Sequence, residues 1–411
     1  MEKLRSPLVT QIELTQRCNH RCYYCYNFFR DHRSSKSLSL MNLDRILNQL
    51  IENEVFTVIL TGGEPLLNRE GFQYAVDKLK ANNTDTYINT NLSLDLDSET
   101  LKRLSQMNLV LVPFPSYDEK LFNSTVNKDS YKKVLRNLEL LAESGIQTGI
   151  NQVVTKRNKD HVQQTAMFLY ERFKDLKVFS ATPVVAVRKE DKGYELDRQE
   201  ILKVGEDLIK VHEDTGLKVD MLTCIPPCFF PEKMMDYPMS MHGCSAGMDL
   251  AVVGSDGSVR RCTKLEKSYG NLLQEDLARV WKRITSFEKT KNSLCDECFS
   301  PYGCYGGCEM RVAVDRTDHL IKGKEHLHLS KARQMVSGKE YFIEKIKFRP
   351  EGNGFLISNG PFVHGNSHLV NFMDSLQGKT FTLERIQEEY GQIGVNIINY
   401  LYNKNLVRDA V

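Results

Sequence analysis

The chain has 411 residues, 41% of them hydrophobic and 26% charged, with a formal net charge of +2. That suits two or three globular domains and gives no footing for a polyanionic partner. No apolar run approaches the roughly 20 residues of a membrane span, and the start, MEKLRSPLVTQIEL, lacks the apolar stretch of a signal peptide. The expectation is a cytoplasmic protein with no nucleic-acid and no membrane partner.

From residue 8 to about 182 short apolar runs alternate with amphipathic stretches. The strand candidates are Leu8–Leu14, Val55–Leu60, Asp85–Thr90, Leu109–Val112, Ile146–Val154 and Lys177–Thr182. They are rich in Val, Ile and Leu, as strands buried on both faces tend to be. Between them, Met41–Asn53, Tyr131–Ser144 and Asp160–Arg172 carry apolar residues at a helical period. Six β-then-α units predict an α/β fold whose parallel sheet curls into a partial (β/α)6 TIM-like barrel, with the chemistry at the carboxyl ends of the strands.

This core is expected over residues 1–185, followed by a linker and one helix (Asp197–His212) over 186–223. Over 224–335 the periodicity weakens and Pro, Gly and Cys become frequent, so this Cys-rich domain is expected to need metal ligation to order itself. The tail, 343–411, changes character again. Strand-like runs Ile346–Phe348 and Phe355–Ile357 flank a turn, and helical stretches follow at His368–Leu376, Thr382–Tyr390 and Val395–Tyr402, separated by Gly378 and Gly391. Two strands and three short helices predict a small winged-helix-like module.

All eleven cysteines fall in two fields, three within 18–25 and eight within 224–308. An odd number in close-set groups speaks against a disulfide framework and for metal thiolates. Residues 18–25, CNHRCYYC, place Cys18, Cys22 and Cys25 directly after the first strand. Three thiolates on one loop can hold three irons of a cubane and leave the fourth open to a chelating ligand. A zinc site is the competing reading, but structural zinc takes four ligands, commonly from C-x2-C pairs. One β-α unit later, Thr61–Pro65 reads TGGEP. Gly62 and Gly63 allow close backbone approach, and Glu64 offers a carboxylate to an ammonium group.

Segment 8–182 resembles the core of the radical S-adenosylmethionine (SAM) superfamily: a C-x3-C-x-φ-C motif with aromatic Tyr24 before the last cysteine, then GGEP after the second strand. The resemblance implies that Cys18, Cys22 and Cys25 bind a [4Fe–4S] cluster that, together with SAM, generates a 5′-deoxyadenosyl radical. It implies that Gly62, Gly63 and Glu64 meet the amino group of SAM. Further SAM contacts are expected from Tyr24, from Asn91 in Thr90-Asn91-Leu92, from Ser116 in PFPSYD and from the strand around Ile150–Asn151. The motifs depart from the family's pattern at Leu92 and around Ser116.

In the second field, Cys244, Gly257 and Cys262 read C-x12-G-x4-C, and Cys295, Cys298, Cys304 and Cys308 read C-x2-C-x5-C-x3-C. This resembles the SPASM extension, which holds auxiliary Fe–S clusters in radical SAM enzymes acting largely on peptides and proteins. The resemblance assigns Cys244, Cys262 and Cys308 to one auxiliary cluster and Cys295, Cys298 and Cys304 to a second. The family's final cysteine is missing, since none follows Cys308. Cys224 or Cys228 is expected to complete the first cluster, and the other, His326 or His328, or no residue, the second. Whichever of Cys224 and Cys228 is left over is a candidate catalytic hydrogen or proton donor.

The tail resembles, more loosely, the peptide-recognition modules of maturases of ribosomally made peptides, which bind a leader peptide by adding a strand to a sheet edge. Its balanced charge, with Glu384, Glu388 and Glu389 together, argues against DNA binding. The expected protein is thus an oxidoreductase that modifies a peptide or protein by a crosslink, epimerisation or oxidation, fed by an external one-electron reductant of flavodoxin or ferredoxin type. Two alternatives are formylglycine formation in a sulfatase, against which Thr263 stands where such enzymes carry an acid, and an Fe–S redox-sensing DNA-binding regulator.

Overall fold

The computed structural model describes residues 4–27, 36–173, 175–287, 293–295, 298, 304, 306–328, 335–344, 346–351, 354–358, 362–404 and 406–410. The chain divides into two compact units, Ser6–Leu329 and a second formed by Met1–Arg5 with Ser330–Val411.

The first unit alternates strands and helices: β1 (Val9–Glu13), α1 (Leu40–Glu52), β2 (Thr57–Thr61), α2 (Arg69–Ala81), β3 (Asp85–Asn89), α3 (Ser98–Leu104), β4 (Leu109–Pro113), α4 (Glu119–Val126), α5 (Tyr131–Glu143), β5 (Thr148–Val154), α6 (Val162–Arg172), β6 (Val178–Pro183), α7 (Arg198–Thr215) and β7 (Val219–Asp220). Several of these helices open on a capping side chain. Ser39 accepts the Asn42 N–H to open α1, and Asp197 and Glu200 form a reciprocal capping box on α7, which stops at Gly216 in the left-handed region (φ 72°).

One sheet of nine strands runs in the order β7-β6-β5-β4-β3-β2-β1-β8-β9, where β8 is Leu250–Val253 and β9 is Val259–Arg260. Every pairing from β7 to β8 is parallel, and only β9 runs antiparallel. The six expected strands are present to within a few residues, but not buried on both faces. Val58, Leu60, Ile88, Val110, Val112 and Ile150 are fully buried against the helices, while Ile59, Tyr87, Leu111 and Asn151, which alternate with them, stay half-buried. Apolar composition signalled a closed second face; period-two alternation leaves that face partly open instead.

The Cys-rich stretch does not depend on metal alone for its order. β8 adds in parallel to β1, with Val9 opposite Leu250 and Ile12 opposite Val253. Ala251, Val253, Val259 and, from α8 (Leu277–Thr285), Leu277, Val280, Trp281 and Ile284 join the same core as Ile12, Leu43 and Phe72. The Gln49 side chain of α1 reaches across, donating to Leu272 O (2.7 Å) and accepting from Leu277 N (2.8 Å) at the start of α8. The short helix α9 (Glu309–Asp315) follows Cys308.

The second unit holds β10 (Tyr341–Phe342), β11 (Lys347–Glu351), β12 (Gly354–Ser358), β13 (Phe362–Gly365), α10 (Ser367–Leu376), β14 (Thr380–Phe381), α11 (Leu383–Asn403) and β15 (Arg408–Asp409). β11-β12-β13 form an antiparallel sheet, and β10 lies between β14 and β15 in another. The sequence suggested two strands, matching β11 and β12; β10, β13, β14 and β15 are additional. The two expected helices meet end to end in α11 but break at Gly391 (φ 63°, ψ −166°), a conformation only glycine adopts readily. Arg349 is fully buried and paired with Glu351, which also accepts the Arg5 N–H (3.0 Å). Among the described residues no helix is long and apolar enough to cross a membrane.

Trp281 is the only tryptophan, so it reports directly on whether barrel and Cys-rich segment share a core. Phe72→Ala, deep in the barrel's helix layer, should cost about 3–5 kcal/mol and lower the denaturant midpoint read from Trp281 fluorescence. An unmoved Trp281 transition would show two separate cores.

Candidate active site

β1 delivers the first cysteine loop, and the TGGEP turn after β2 grips it. Gly63 N–H donates to Thr15 O (2.8 Å) and Glu64 N–H to Arg17 O (2.7 Å). The approach leaves no room for a side chain: a Cβ on Gly62 (φ 143°) would lie 2.4 Å from Thr15 O, and one on Gly63 2.1 Å from Arg17 O. Asn27 closes the far end of the loop by donating Nδ2 to Gly62 O (3.0 Å), while its buried Oδ1 has no partner among the described residues.

Glu64 is almost wholly buried. Its carboxylate accepts from Thr90 Oγ1 (2.7 Å), Asn91 N (2.7 Å) and Leu66 N (3.1 Å). Burial outweighs these three bonds and raises its pKa to about 7. Asn91 carries the connection on, donating Nδ2 to Asn19 Oδ1 (2.8 Å) and more weakly to Cys18 Sγ (3.9 Å), which also accepts the His20 N–H (3.4 Å). The ends of β1, β2 and β3 therefore share one polar network with Cys18 in it.

Cys18, Cys22 and Cys25 lie within electrostatic reach of one another, and burial pushes the Cys18 thiol up to about 12 and the Cys22 thiol higher still. Thiolates in such a place need a positive partner, and an Fe–S cluster is one. The donor set, the unpartnered Asn27 Oδ1 and the carboxylate of Glu64, hydrogen-bonded by neutral donors, together fit a cluster with a cationic, hydrogen-bonding co-ligand.

The other expected contacts fall in different surroundings. The Tyr24 hydroxyl lies against the Cys22 sulfur, and its ring stands edge-on to Tyr23 (5.4 Å). Ser116 is fully buried and occupied, bonded to His161 Nδ1 (2.9 Å) and accepting the Asp118 N–H (3.0 Å). Asn151 is half-buried and accepts from Thr182 Oγ1 (2.7 Å). Strand register puts Pro113, Asn151, Ser180 and Asp220 in one row across β4 to β7. Both Asp220 oxygens bond His242 Nε2 (2.8 and 2.9 Å). Burial opposes charge on His242, yet Asp220 raises its pKa overall. No sequence motif signals this pair.

In the second field the structure brings Cys224, Cys244 and Cys308 together, with Cys304 in reach of Cys224. A hydrogen bond with Cys244, then burial, raises the Cys224 thiol well above its ordinary range. Cys228 is hydrogen-bonded as well. Its Sγ accepts the Lys322 N–H (3.3 Å), and Pro227–Phe229 packs on Lys324–His326. His326 and His328 are exposed. Cys298 N–H donates to Cys295 O (3.1 Å).

Three nearly inaccessible arginines that sequence reasoning missed tie these loops together. Arg260 donates to Glu13 of β1 (2.7 Å) and to Thr263 O (3.2 Å), just past Cys262. Arg261 donates to Ala246 O (2.9 Å), just past Cys244, and to Glu309 (2.9 Å), next to Cys308. Arg311 donates to Cys224 O (2.9 Å) and pairs with Asp318 (3.3 Å), which in turn accepts the Cys308 N–H (2.7 Å). The available signal was position: two of the three directly precede Cys262 and the third lies one helical turn after Cys308.

A parallel α/β sheet with a thiolate loop after its first strand, a Gly-Gly-Glu turn after its second and a second cysteine field defines a class of Fe–S radical enzymes, and comparison with known proteins agrees. Residues 12–169 match the radical SAM superfamily, and 244–300 match the SPASM iron–sulfur cluster-binding domain. A GTP 3′,8-cyclase of Synechocystis is 31% identical over 153 residues, 36% of this chain; the chain spans only 46% of that protein's length. The mycofactocin maturase MftC of Mycolicibacterium smegmatis is 23% identical over 325 residues, 74% of this chain and 79% of that one. Streptococcus suis SuiB, solved bound to its precursor peptide SuiA, superposes with a TM-score of 0.64 at 20% identity, over 78% of this chain and 77% of that one. The chain thus carries a radical SAM domain over 12–169 and a SPASM domain over 244–300.

Gly63→Ala tests the grip of the turn on the loop. With a backbone oxygen in the way, it should cost about 1–3 kcal/mol or more and lower the iron bound at the first cysteine field, measured per chain after anaerobic reconstitution. Full iron loading with unchanged thermal stability would contradict the geometry described.

Proposed function

We propose that this chain is a peptide maturase that uses SAM-derived radical chemistry to modify a ribosomally made peptide or protein. The observation that carries the reading is the locking of the Gly-Gly-Glu turn onto the three-cysteine loop. Bound there, a [4Fe–4S] cluster with SAM supplies a 5′-deoxyadenosyl radical that takes hydrogen from a substrate carbon. Cys18, Cys22 and Cys25 hold the cluster; Gly62, Gly63 and Glu64 meet the SAM ammonium; Asn91 orients Cys18 and Glu64 together. In the second field, Cys224 with Cys244, Cys262 and Cys308 forms a four-thiolate set for an auxiliary cluster, and Cys295, Cys298 and Cys304 hold a second. Cys228, whose Sγ accepts the Lys322 amide, is left out of both sets in this reading.

Peptide as the substrate is supported by the likeness to a maturase and to a fold solved with its precursor peptide. The product class is a crosslink, an epimer or an oxidised side chain. The winged-helix-like second unit presents the edge strands β11 and β13, either of which can take a leader peptide as an added strand. Electrons come from an external one-electron donor of flavodoxin or ferredoxin type. Thr263 after Cys262 leaves the sulfatase reading without its acid, and the balanced tail leaves the DNA-binding reading without a basic face.

Anaerobically reconstituted protein with reductant and SAM should yield 5′-deoxyadenosine, and Cys22→Ala should abolish it. Cys224→Ala should remove about four irons per chain and Cys228→Ala none. An ammonium ligand needs Glu64 ionised, so with its pKa near 7 SAM should bind about tenfold more weakly at pH 6 than at pH 8, by the factor of ten per pKa unit. Glu64→Gln should flatten that profile. Full cleavage by Cys22→Ala would overturn the assignment.

A further inference from the structure

Buried arginine is uncommon, because its charge cannot be shed and removing it from water is costly. Here three sit among the auxiliary cysteine loops at 2% (Arg260), 2% (Arg261) and 3% (Arg311) exposure. A fold that needed only to tie loops together could use neutral hydrogen-bonding side chains. Four thiolates around one cluster, by contrast, concentrate negative charge, and that charge grows when the cluster is reduced. The potential of an Fe–S centre responds to net charge, to hydrogen bonds to its sulfurs and to solvent exposure. Exclusion of water alone disfavours the more negative, reduced state. A nearby fixed cation opposes this.

Two features distinguish Arg261 and Arg311 from simple crosslinks. The first is placement: Arg261 adjoins Cys262 and bridges to the loops of Cys244 and Cys308, and Arg311 bridges Cys224 O and the Cys308 turn through Asp318. The second is that the Arg261 guanidinium sits in a largely apolar setting, 4.5 Å from the Phe287 ring centroid and beside Gly247 and Ile284, where its buried Nε–H has no acceptor among the described residues. The carboxylate that pairs with Arg311 is itself held in place. Asp318 accepts the amides of Cys308 (2.7 Å) and Leu320 (3.0 Å), and Gly307 (φ 83°) lets it approach so closely that a Cβ there would lie 2.6 Å from its Oδ2.

We propose that Arg261 and Arg311 are positioning residues that raise the reduction potential of the cluster held by Cys224, Cys244, Cys262 and Cys308, the direction required of an electron-accepting site. This rests on the reading of those cysteines as cluster ligands. The test is an EPR-monitored redox titration of the full reconstituted chain, following the signal that Cys224→Ala removes, with iron counted in every variant. Arg311→Gln should lower the potential so that the reduced-to-oxidised ratio at a fixed potential falls about tenfold, or 59 mV for one electron. Arg311→Lys should stay near wild type, and Asp318→Asn, which removes the opposing charge, should shift it the other way. Arg261→Gln should act like Arg311→Gln. Opposite shifts from Arg311 and Asp318 are something a purely structural crosslink would not give. Potentials unmoved with iron retained would overturn this proposal alone. Equal loss of iron from Arg311→Gln and Arg311→Lys would likewise overturn it, leaving only a staple. Wild-type protein without auxiliary iron would overturn the cluster reading and the proposal with it.

Discussion

The contact on which the rest depends is backbone to backbone. The amides of Gly63 and Glu64 donate to the carbonyls of Thr15 and Arg17, at a separation no side chain could enter. Two segments about fifty residues apart in sequence thereby become one surface. The three thiols acquire a fixed neighbour, and Glu64 is directed into the donors at the end of β3 rather than into solvent. A carboxylate so placed is costly to ionise, and thiols so placed are costly to deprotonate. Both costs fall if a cationic group and a metal cluster occupy the space between. These buried acidic groups thus call for positive charge beside them.

The second cysteine field solves a similar problem differently. It borrows order from the barrel through β8 on the edge of β1 and through Gln49 at the head of α8. The loops that carry the cysteines are then connected by Arg260, Arg261 and Arg311, each of which touches two segments at once. The Glu13–Arg260 pair also joins the last residue of β1 to the turn after Cys262, so the strand that presents the first cysteine loop is coupled to the second field within one compact unit. Removing one partner of such a buried pair leaves an uncompensated charge, which makes these residues sensitive probes of the region.

Much of the fold could be read from periodicity. Leu43, Ile46, Leu47 and Leu50 announce α1 and are the residues it buries, and Gly391 marks the break in α11 that its backbone angles require. The open inner face of the sheet was not legible, because Ile59 and Leu111 are apolar in sequence yet half-buried in the structure. β8 and β9 were hidden by brevity, four and two residues among turn-forming neighbours. At the site, cysteine spacing and the Gly-Gly-Glu turn carry a strong signal because few other chemistries need them. The Asp220–His242 pair carries none and the arginines only their place beside cysteines, since charged residues are expected at the surface, and only the folded chain reveals what they touch.

The central claim, a three-thiolate loop that leaves one iron open to SAM, is tested most directly by low-temperature EPR of the reduced, anaerobically reconstituted chain before and after adding SAM. A cubane signal that depends on Cys18, Cys22 and Cys25 and changes its g-values when SAM is added is the expected result. A zinc-only protein, or a cluster signal indifferent to SAM, would contradict the account.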